Sequence, residues 1–278
     1  MKLKEKNYWF WVEHGNISEL PGMDPVTALA FQMTESYLAP IIPLETYNLL
    51  KPYVNRAKEV LNSTSSPLKN WSQKIVVINR GPSLIKPHLK PEIQHQVYQS
   101  LLREKQLKVY YKPRCTKELT EYIVNPLGLA IKQDIIYLVC TFWKYKDIMQ
   151  LALHRIQSVE LLQETAIFLD DFDLSTYAQD EHQFSYPISA EPIQLKALFT
   201  AYAAEHLYET PLMDDQILSI QADNRILLEG SIIETLELRW WLSGFGSNVE
   251  IIEPQPLKEF FTKEAKKMMS YYQKPLTK

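Results

Sequence analysis

Two runs near the middle of the chain give the clearest indication of its architecture: Tyr122-Ile123-Val124-Asn125-Pro126-Leu127-Gly128-Leu129 and Ile135-Ile136-Tyr137-Leu138-Val139. Both are short and rich in β-branched and aromatic residues, which is typical of strands. With their neighbours they predict strands at Leu107–Tyr111, Glu121–Val124, Leu127–Ile131, Ile135–Thr141 and Ile148–Leu153, which Val159–Ala166 could extend. Tight turns separate these strands, so the pattern favours a small antiparallel barrel.

The last part of the chain has a different rhythm, with helices between the strands. Strands are predicted at Ile193–Phe199, Gln216–Gln221, Arg225–Ile233 and Asn248–Ile252, and helices at Thr200–Tyr208, Glu234–Gly244 and Pro256–Tyr272. The order β-α-β-β-α-β followed by a helix is the ferredoxin-like pattern.

The first part of the chain is predicted to be mainly helical. Asp24-Pro25 begins a helix, with Asp as the N-cap and Pro at the first helical position. The other predicted elements are an aromatic strand at Asn7–Val12, a helix from about Leu44, a linker at Asn62–Pro67, a strand at Lys74–Ile78, a helix near Glu92–Lys105 and a short helix at Asp170–Tyr177.

Composition excludes several classes of protein. An apolar fraction of 46% is ordinary for a globular chain, and two cysteines make a disulfide framework unlikely, which fits a reducing cytoplasm. No apolar run approaches the roughly 20 residues that a membrane helix needs, and no His/Cys spacing is that of a zinc site. The net charge of −3 means that any contact with nucleic acid must come from a local patch.

Several segments in the correct order resemble the WYL-domain family of transcriptional regulators. The family's Trp-Tyr-Leu triplet corresponds to Ile136-Tyr137-Leu138, so the Trp is replaced. Leu107-Lys108-Val109-Tyr110-Tyr111-Lys112-Pro113-Arg114 resembles the first barrel strand, and Gln150-Leu151-Ala152-Leu153-His154-Arg155-Ile156 a later one. Glu237-Leu238-Arg239-Trp240-Trp241-Leu242-Ser243-Gly244 is similar to the WCX-type extension that follows WYL domains.

The resemblance implies an α+β protein. It would comprise a helical N-terminal and linker region (1–70), a bridging segment and helix (71–105), a small Sm-like antiparallel β-barrel, the WYL domain (106–178), and a ferredoxin-like C-terminal extension (179–278). Family regulators begin with a winged helix-turn-helix, and no such unit is recognised before Tyr8. The chain is therefore expected to be either a truncated form or a natural variant without this DNA-reading unit.

A group of polar and cationic residues on the predicted barrel is the candidate ligand site. Its members are Tyr111, Lys112, Arg114, Tyr137, His154 and Arg155. Arginine offers a planar fork of donors suited to phosphate or carboxylate, and tyrosine adds an aromatic face and a hydroxyl. Positions like these form the proposed ligand-binding face in the resemblance.

Plainer interpretations of the same residues remain open. Arg155 could pair with Glu160 or Asp134, and it leaves the core face only if its strand ends or bulges at His154. Tyr110 is expected to face away from Tyr111 and to belong to the core. The remaining candidates outside the barrel are expected to be structural: Trp240 and Trp241 packing on the adjacent sheet, Arg225, Arg239, Lys263, Lys266 and Lys267 at the solvated surface, and Asp170, Asp171 and Asp173 opening a helix.

The leading hypothesis is the sensing module of a WYL-family regulator of repressor type. It would bind a small anionic or nucleotide-like effector, or single-stranded nucleic acid, and act as a cytoplasmic homodimer without a cofactor. The resemblance also extends to regulators found beside phage-defence genes. The alternative is a stand-alone accessory module that binds nucleic acid or a partner protein without operator recognition. No phosphate-binding loop or nucleophile elbow occurs, so an enzyme such as a nuclease is the least favoured hypothesis.

Overall fold

The computed structural model describes residues 23–38, 42, 44–65, 67–76, 81–82, 84–114 and 118–273. The chain divides into two compact units, Met1–Phe168 and Leu169–Lys278. The strand predicted at Asn7–Val12 and the cysteine Cys115 lie outside the described residues. Helices and antiparallel sheets make up both units, so the predicted α+β class is confirmed.

The first unit begins with helices and continues as one sheet. Its elements are α1 (Pro25–Leu38), α2 (Leu44–Ser63), a 3-10 helix (Pro67–Lys74), α3 (Pro91–Arg103), β1 (Lys105–Tyr111), β2 (Thr120–Lys132), β3 (Ile135–Phe142), β4 (Met149–Ala152), a short 3-10 helix (Leu153–Arg155) and β5 (Ile156–Thr165). The Asp24 carboxylate accepts hydrogen bonds from the backbone N–H groups of Val26 and Thr27, as the predicted N-cap requires.

The five-stranded sheet is strongly curved. Its strand order is β4-β3-β2-β1-β5, with antiparallel ladders between neighbours. Although β1 and β4 are three positions apart in this order, the Tyr111 hydroxyl of β1 accepts a hydrogen bond from the Ala152 N–H of β4 at 3.3 Å. The concave side holds the core, which includes Leu107, Val109, Val124, Leu138, Leu151, Leu153 and Ile156 and is covered by Ile93 and Val97 of α3.

Three strands predicted for this unit differ in the structure. The strands expected at Glu121–Val124 and Leu127–Ile131 are one strand, β2, because Pro126 causes a local shift in register against β3 and does not end the strand. In the segment expected to be a strand at Lys74–Ile78, Lys74 ends a 3-10 helix and Ile75 and Val76 are exposed and irregular.

The second unit is a four-stranded antiparallel sheet with helices. Its elements are β6 (Pro187–Phe199), α4 (Ala201–Glu209), β7 (Ile217–Ile220), β8 (Ile226–Thr235), α5 (Leu236–Gly244), β9 (Val249–Glu253) and α6 (Gln255–Tyr272). The strand order β7-β8-β6-β9 places the first and third strands at the centre, as the βαββαβ pattern of ferredoxin-like folds requires. Leu195, Ala197 and Phe199 alternate along β6 into the core.

The short helix predicted at Asp170–Tyr177 begins later than expected. The structure forms a helical turn at Thr176–Asp180, and Asp173 caps it by accepting a hydrogen bond from the Thr176 N–H at 2.7 Å. This bond holds the pKa of Asp173 below its usual range. Asp173 is therefore the capping carboxylate of the three that were expected to open the helix.

Candidate functional site

The connection between β4 and β5 forms the centre of the candidate site. Strand β4 ends at Ala152, and the three residues that follow turn as a 3-10 helix before β5 begins. Leu153 and Ile156 are fully buried on either side of this turn, while His154 and Arg155 between them are half-buried. The strand end therefore releases Arg155 from the core face, which settles the alternative that strand alternation had left open.

The end of β1 lies against this turn. Tyr111 is paired with Ile156 across the β1–β5 ladder, immediately after a shift in register. The backbone N–H of Lys112 then donates to the carbonyl of Arg155 at 3.2 Å. This bond fixes the start of the segment 112–114 beside Arg155, so Lys112 and Arg155 are neighbours in space although the sequence separates them widely.

Tyr110 and Tyr111 lie on opposite faces as expected, but their assignment was wrong. Tyr111 is in the core with 7% of its surface exposed, and its hydroxyl accepts from Ala152. Tyr110 faces outward with Lys108 and Glu121. Its hydroxyl helps raise the pKa of Lys108 and lower that of Glu121 by hydrogen bonding. Tyr111 can therefore position the site, but it offers little surface to a ligand.

The two remaining candidates occupy different positions. Tyr137 lies on β3 directly opposite Ala152 of β4 and is half-buried, which places it one strand away from the turn that carries Arg155. Arg114 lies two residues beyond Lys112 and is exposed, at the boundary of the described residues. The structure thus brings Lys112 next to the turn that carries His154 and Arg155. Tyr111 lies in the core beneath it, Tyr137 lies one strand away, and Arg114 lies two residues beyond Lys112.

The cations of this group have no acidic partner in the part of the chain that the structure describes. Asp134, one expected partner of Arg155, is paired with Lys86 at 2.6 Å instead. None of the described carboxylates forms an ion pair with Lys112, Arg114 or Arg155. An arginine or lysine without a counter-charge can bind an anion with little competition from the protein itself.

The pKa of His154 is shifted in the direction opposite to that of a histidine paired with a carboxylate. Burial lowers its pKa first, and the positive charge of the adjacent Arg155 lowers it further. The imidazole is therefore held neutral at a pH where a solvated histidine would begin to take up a proton. An anion placed beside both residues would reverse part of this effect.

Comparison with family models identifies both units. The model of the WYL domain matches residues 92–161, which run from α3 through most of β5 and contain all six candidate residues. The chain contains a WYL domain. The model of the WCX domain matches residues 191–269, within the second unit.

Solved structures show more distant likenesses. A protein described as a CRISPR Cas-related protein shares 14% identity at a TM-score of 0.41, over 67% of this chain and 52% of that one. The proteasome accessory factor B/C (PafBC) of Arthrobacter aurescens shares 16% identity at a TM-score of 0.28, over 90% of this chain and 37% of that one. The WYL-domain chain thus spans about half or less of each. No curated protein matches it.

One residue of the WYL domain matters more than sequence analysis indicated. Asn125 of β2 is fully buried, and its amide makes four hydrogen bonds. It donates to the Thr141 hydroxyl at 3.1 Å and the Trp143 carbonyl at 2.8 Å, and accepts from Gln106 at 2.8 Å and the Ile167 N–H at 2.9 Å. A polar residue with this many partners connects β1, β3, the turn after β3 and the segment that follows β5. The signal for it was an Asn within a strand rich in apolar residues.

The two arginines expected at the surface of the second unit, which contains the WCX domain, are both paired with carboxylates. Arg225 is exposed as predicted but is held by Asp223 and Glu250, both at 2.6 Å. Arg239 was expected at the solvated surface, and this was wrong: it pairs with Glu234 at 2.6 Å and stacks on Phe260. These pairings leave neither arginine available to a nucleic-acid phosphate without first breaking an ion pair.

The tryptophan pair of α5 divides between two environments. Trp241 packs against the core beside Phe199, as predicted, whereas Trp240 is exposed and touches Tyr186 at its edge. On α6 the three lysines Lys263, Lys266 and Lys267 are exposed. Four cavities, with volumes of about 290 to 830 Å³, are lined by residues of the second unit alone and are separate from the Arg155 group.

Two further searches cover the described residues only. Within them, no group of three or more His, Cys, Asp or Glu side chains could hold a metal ion. No helix within the same residues is both long and apolar enough to cross a membrane.

Proposed function

We propose that this chain is the effector-sensing part of a cytoplasmic transcriptional regulator and that it binds a small anionic, nucleotide-like ligand. The observation that carries the proposal is Arg155: a half-buried arginine at a strand end, whose backbone is hydrogen-bonded to that of Lys112 and to which no described carboxylate is paired. Surface cations are commonly solvated and unspecific, but a desolvated arginine fork binds a phosphate in a fixed orientation.

The surroundings of Arg155 suit a nucleotide more than a bare anion. Lys112 adds a second cation, and His154 can become a cation when a negative charge approaches. Tyr137 adds an aromatic ring one strand away, which fits a base or sugar beside the phosphate. The group has no nucleophile paired with a base in the described residues, so binding without chemical conversion is proposed.

Regulation would follow from a shift between two arrangements of a homodimer. A ligand at the β4–β5 turn contacts the end of β1 and the start of β5 together, and it can favour one arrangement only by binding it more tightly. In a regulator that also carries a winged helix-turn-helix, that unit would read operator DNA, and the ligand would change its affinity for the operator. The proposed role as a repressor rests on the resemblance to WYL-domain regulators.

The ligand can be tested directly on the purified chain. Isothermal titration with AMP, cyclic AMP, inorganic phosphate and adenosine separates the contribution of the phosphate from that of the base. We expect the nucleotides to bind and Arg155→Ala to weaken them by about tenfold to a hundredfold, the range of a charge-assisted bidentate contact.

A matched control uses an arginine that already has partners. Arg225→Ala removes a guanidinium of the second unit that two carboxylates hold, and it should leave nucleotide affinity unchanged. Equal affinity of Arg155→Ala and the unaltered chain for every anion would refute the site. Binding of the chain to operator-unrelated nucleic acid with full affinity would favour the accessory-module alternative.

A further inference from the structure

The turn that follows β3 presents two aromatic side chains to solvent. After Phe142, the run Trp143-Lys144-Tyr145-Lys146 alternates aromatic and basic residues, and Trp143 and Tyr145 are 41% and 65% exposed. Lys144, Lys146 and Asp147 are exposed as well. We call Trp143, Lys144, Tyr145 and Lys146 the aromatic turn. It plays no part in the Arg155 group.

The backbone of the aromatic turn does not need a tryptophan. The Tyr145 N–H donates to the Phe142 carbonyl at 2.9 Å, which closes a four-residue turn, and Trp143 at its second position has a φ of 47°. Positive φ at this position favours Gly, Asn or Asp, and a bulky side chain is unfavourable there. Trp143 is therefore both strained and exposed, which points to a role for the indole outside the turn.

The interior of the protein holds the aromatic turn in place. The ring of Phe142 stacks on Tyr122 at 4.4 Å, and the ring of Trp143 lies 5.9 Å from Phe142 and 6.2 Å from Tyr145. The buried Asn125 amide also donates to the Trp143 carbonyl at 2.8 Å. The exposed rings are thus positioned before any ligand arrives, which lowers the entropy cost of binding.

The charges around the rings indicate which ligand fits. Neither Lys144 nor Lys146 forms an ion pair with a described carboxylate, in contrast to the nearby Lys108, which is paired with Glu121. Exposed aromatic faces that alternate with free cations match the unstacked bases and phosphates of a single strand. A duplex offers its phosphates but keeps its bases stacked within the helix.

We propose that the aromatic turn is a second binding surface, which takes single-stranded nucleic acid by stacking bases on Trp143 and Tyr145 while Lys144 and Lys146 contact phosphates. The surface is distinct from the effector site. Five residue steps of β3 separate Phe142 from Tyr137, which is roughly 17 Å at the usual strand rise. The two proposals can therefore be tested independently of each other.

The test measures binding of a fluorescein-labelled twelve-nucleotide oligo(dT) to the full chain by fluorescence anisotropy. Trp143→Asn is the decisive variant because Asn suits a positive φ, so the turn is kept while the stacking surface is removed. We expect Trp143→Asn and Tyr145→Ala each to weaken binding about tenfold or more, and Trp143→Phe to retain most of the affinity. Lys144→Gln with Lys146→Gln should weaken binding and reduce its dependence on salt.

Controls separate stacking from general attraction. Trp71→Ala removes a tryptophan of the same 41% exposure elsewhere in the unit and should leave binding unchanged. A duplex of the same length should show no dependence on Trp143, and inorganic polyphosphate should compete weakly. Arg155→Ala should alter nucleotide binding without altering the effect of Trp143→Asn on oligo(dT).

Three results would overturn the proposal. Oligo(dT) could fail to bind at micromolar concentration, or Trp143→Asn could bind it as tightly as the unaltered chain. Thirdly, Trp143→Asn could lower the melting temperature substantially and Trp143→Phe restore it. That pattern would assign the indole to packing on Tyr122 and Phe142 in place of ligand binding.

Discussion

Replacement of Asn125 by alanine tests whether one buried amide connects the strands of the WYL domain beside the aromatic turn. Asn125→Ala removes all four hydrogen bonds of the side chain at once. Its partners belong to β1, β3, the turn after β3 and the segment that follows β5. The loss should therefore be felt at several points in the sheet, although a single residue is changed.

The expected cost follows from the partners. A hydrogen bond contributes about 1 kcal/mol net, and a buried group left unsatisfied costs about 1–3 kcal/mol. Thr141 is buried with Asn125, whereas Gln106 and the Trp143 carbonyl can regain water once the amide is gone. We expect Asn125→Ala to lower the free energy of unfolding by about 3–4 kcal/mol. Thr141→Val, which removes one bond of the four, should lower it by about 1 kcal/mol.

The measurement is unfolding in urea, monitored through hydrogen exchange of the backbone amides of β2 and β3. These amides report on the first unit separately from the second. Asn62→Ala, at an exposed position of α2, should change stability by no more than about 0.5 kcal/mol. If Asn125→Ala costs no more than Thr141→Val, the four bonds do not act together and the role assigned to Asn125 is wrong.

Three other results are expected. Because burial and Arg155 lower the pKa of His154, an anion bound at the site should raise that pKa, so that His154 takes up a proton on binding. In isothermal titration, affinity for cyclic AMP should then increase as the pH is lowered from 8 to 6, and His154→Gln should abolish this pH dependence. A decrease in affinity as the pH is lowered would contradict the site. Glu234→Gln should destabilise the second unit by about 2 kcal/mol in thermal unfolding, since it leaves the guanidinium of Arg239 without its partner. An exposed control, Glu259→Gln, should have little effect. Equal melting temperatures for Glu234→Gln and the unaltered chain would show that the pair is dispensable. Burial raises the pKa of the Cys140 thiol, so peptide mapping should find it unmodified by iodoacetamide in the native protein and modified in urea; native labelling would mean that β3 opens readily.

The sequence was most informative where one face of an element is buried. The strands predicted at Ile193–Phe199 and Arg225–Ile233 correspond to the second half of β6 and to most of β8, and Asp24 caps α1 as predicted. Pro126 misled the prediction of β2, since a proline within a strand suggests an end and here produces only a shift in register. Such a shift depends on the partner strand, which the local sequence does not contain.

The candidate site was harder to predict because its geometry depends on where a strand ends. The residue types at Lys112, His154 and Arg155 indicated anion binding, but their grouping rests on a backbone bond between distant segments. Tyr110 and Tyr111 could not be assigned to faces without knowing the register of β1. The role of Asn125 also depended on tertiary contacts, since its four partners come from four different parts of the chain.

The turn between β4 and β5 has a consequence for how such proteins diversify. Leu153 and Ile156 fill the core on either side of it, and they confine His154 and Arg155 to positions that the core does not occupy. Substitutions at these two positions can therefore change the charge and shape offered to a ligand while the hydrophobic packing is preserved. The surface of the proposed site and the core beneath it are thus encoded by different residues of one short turn.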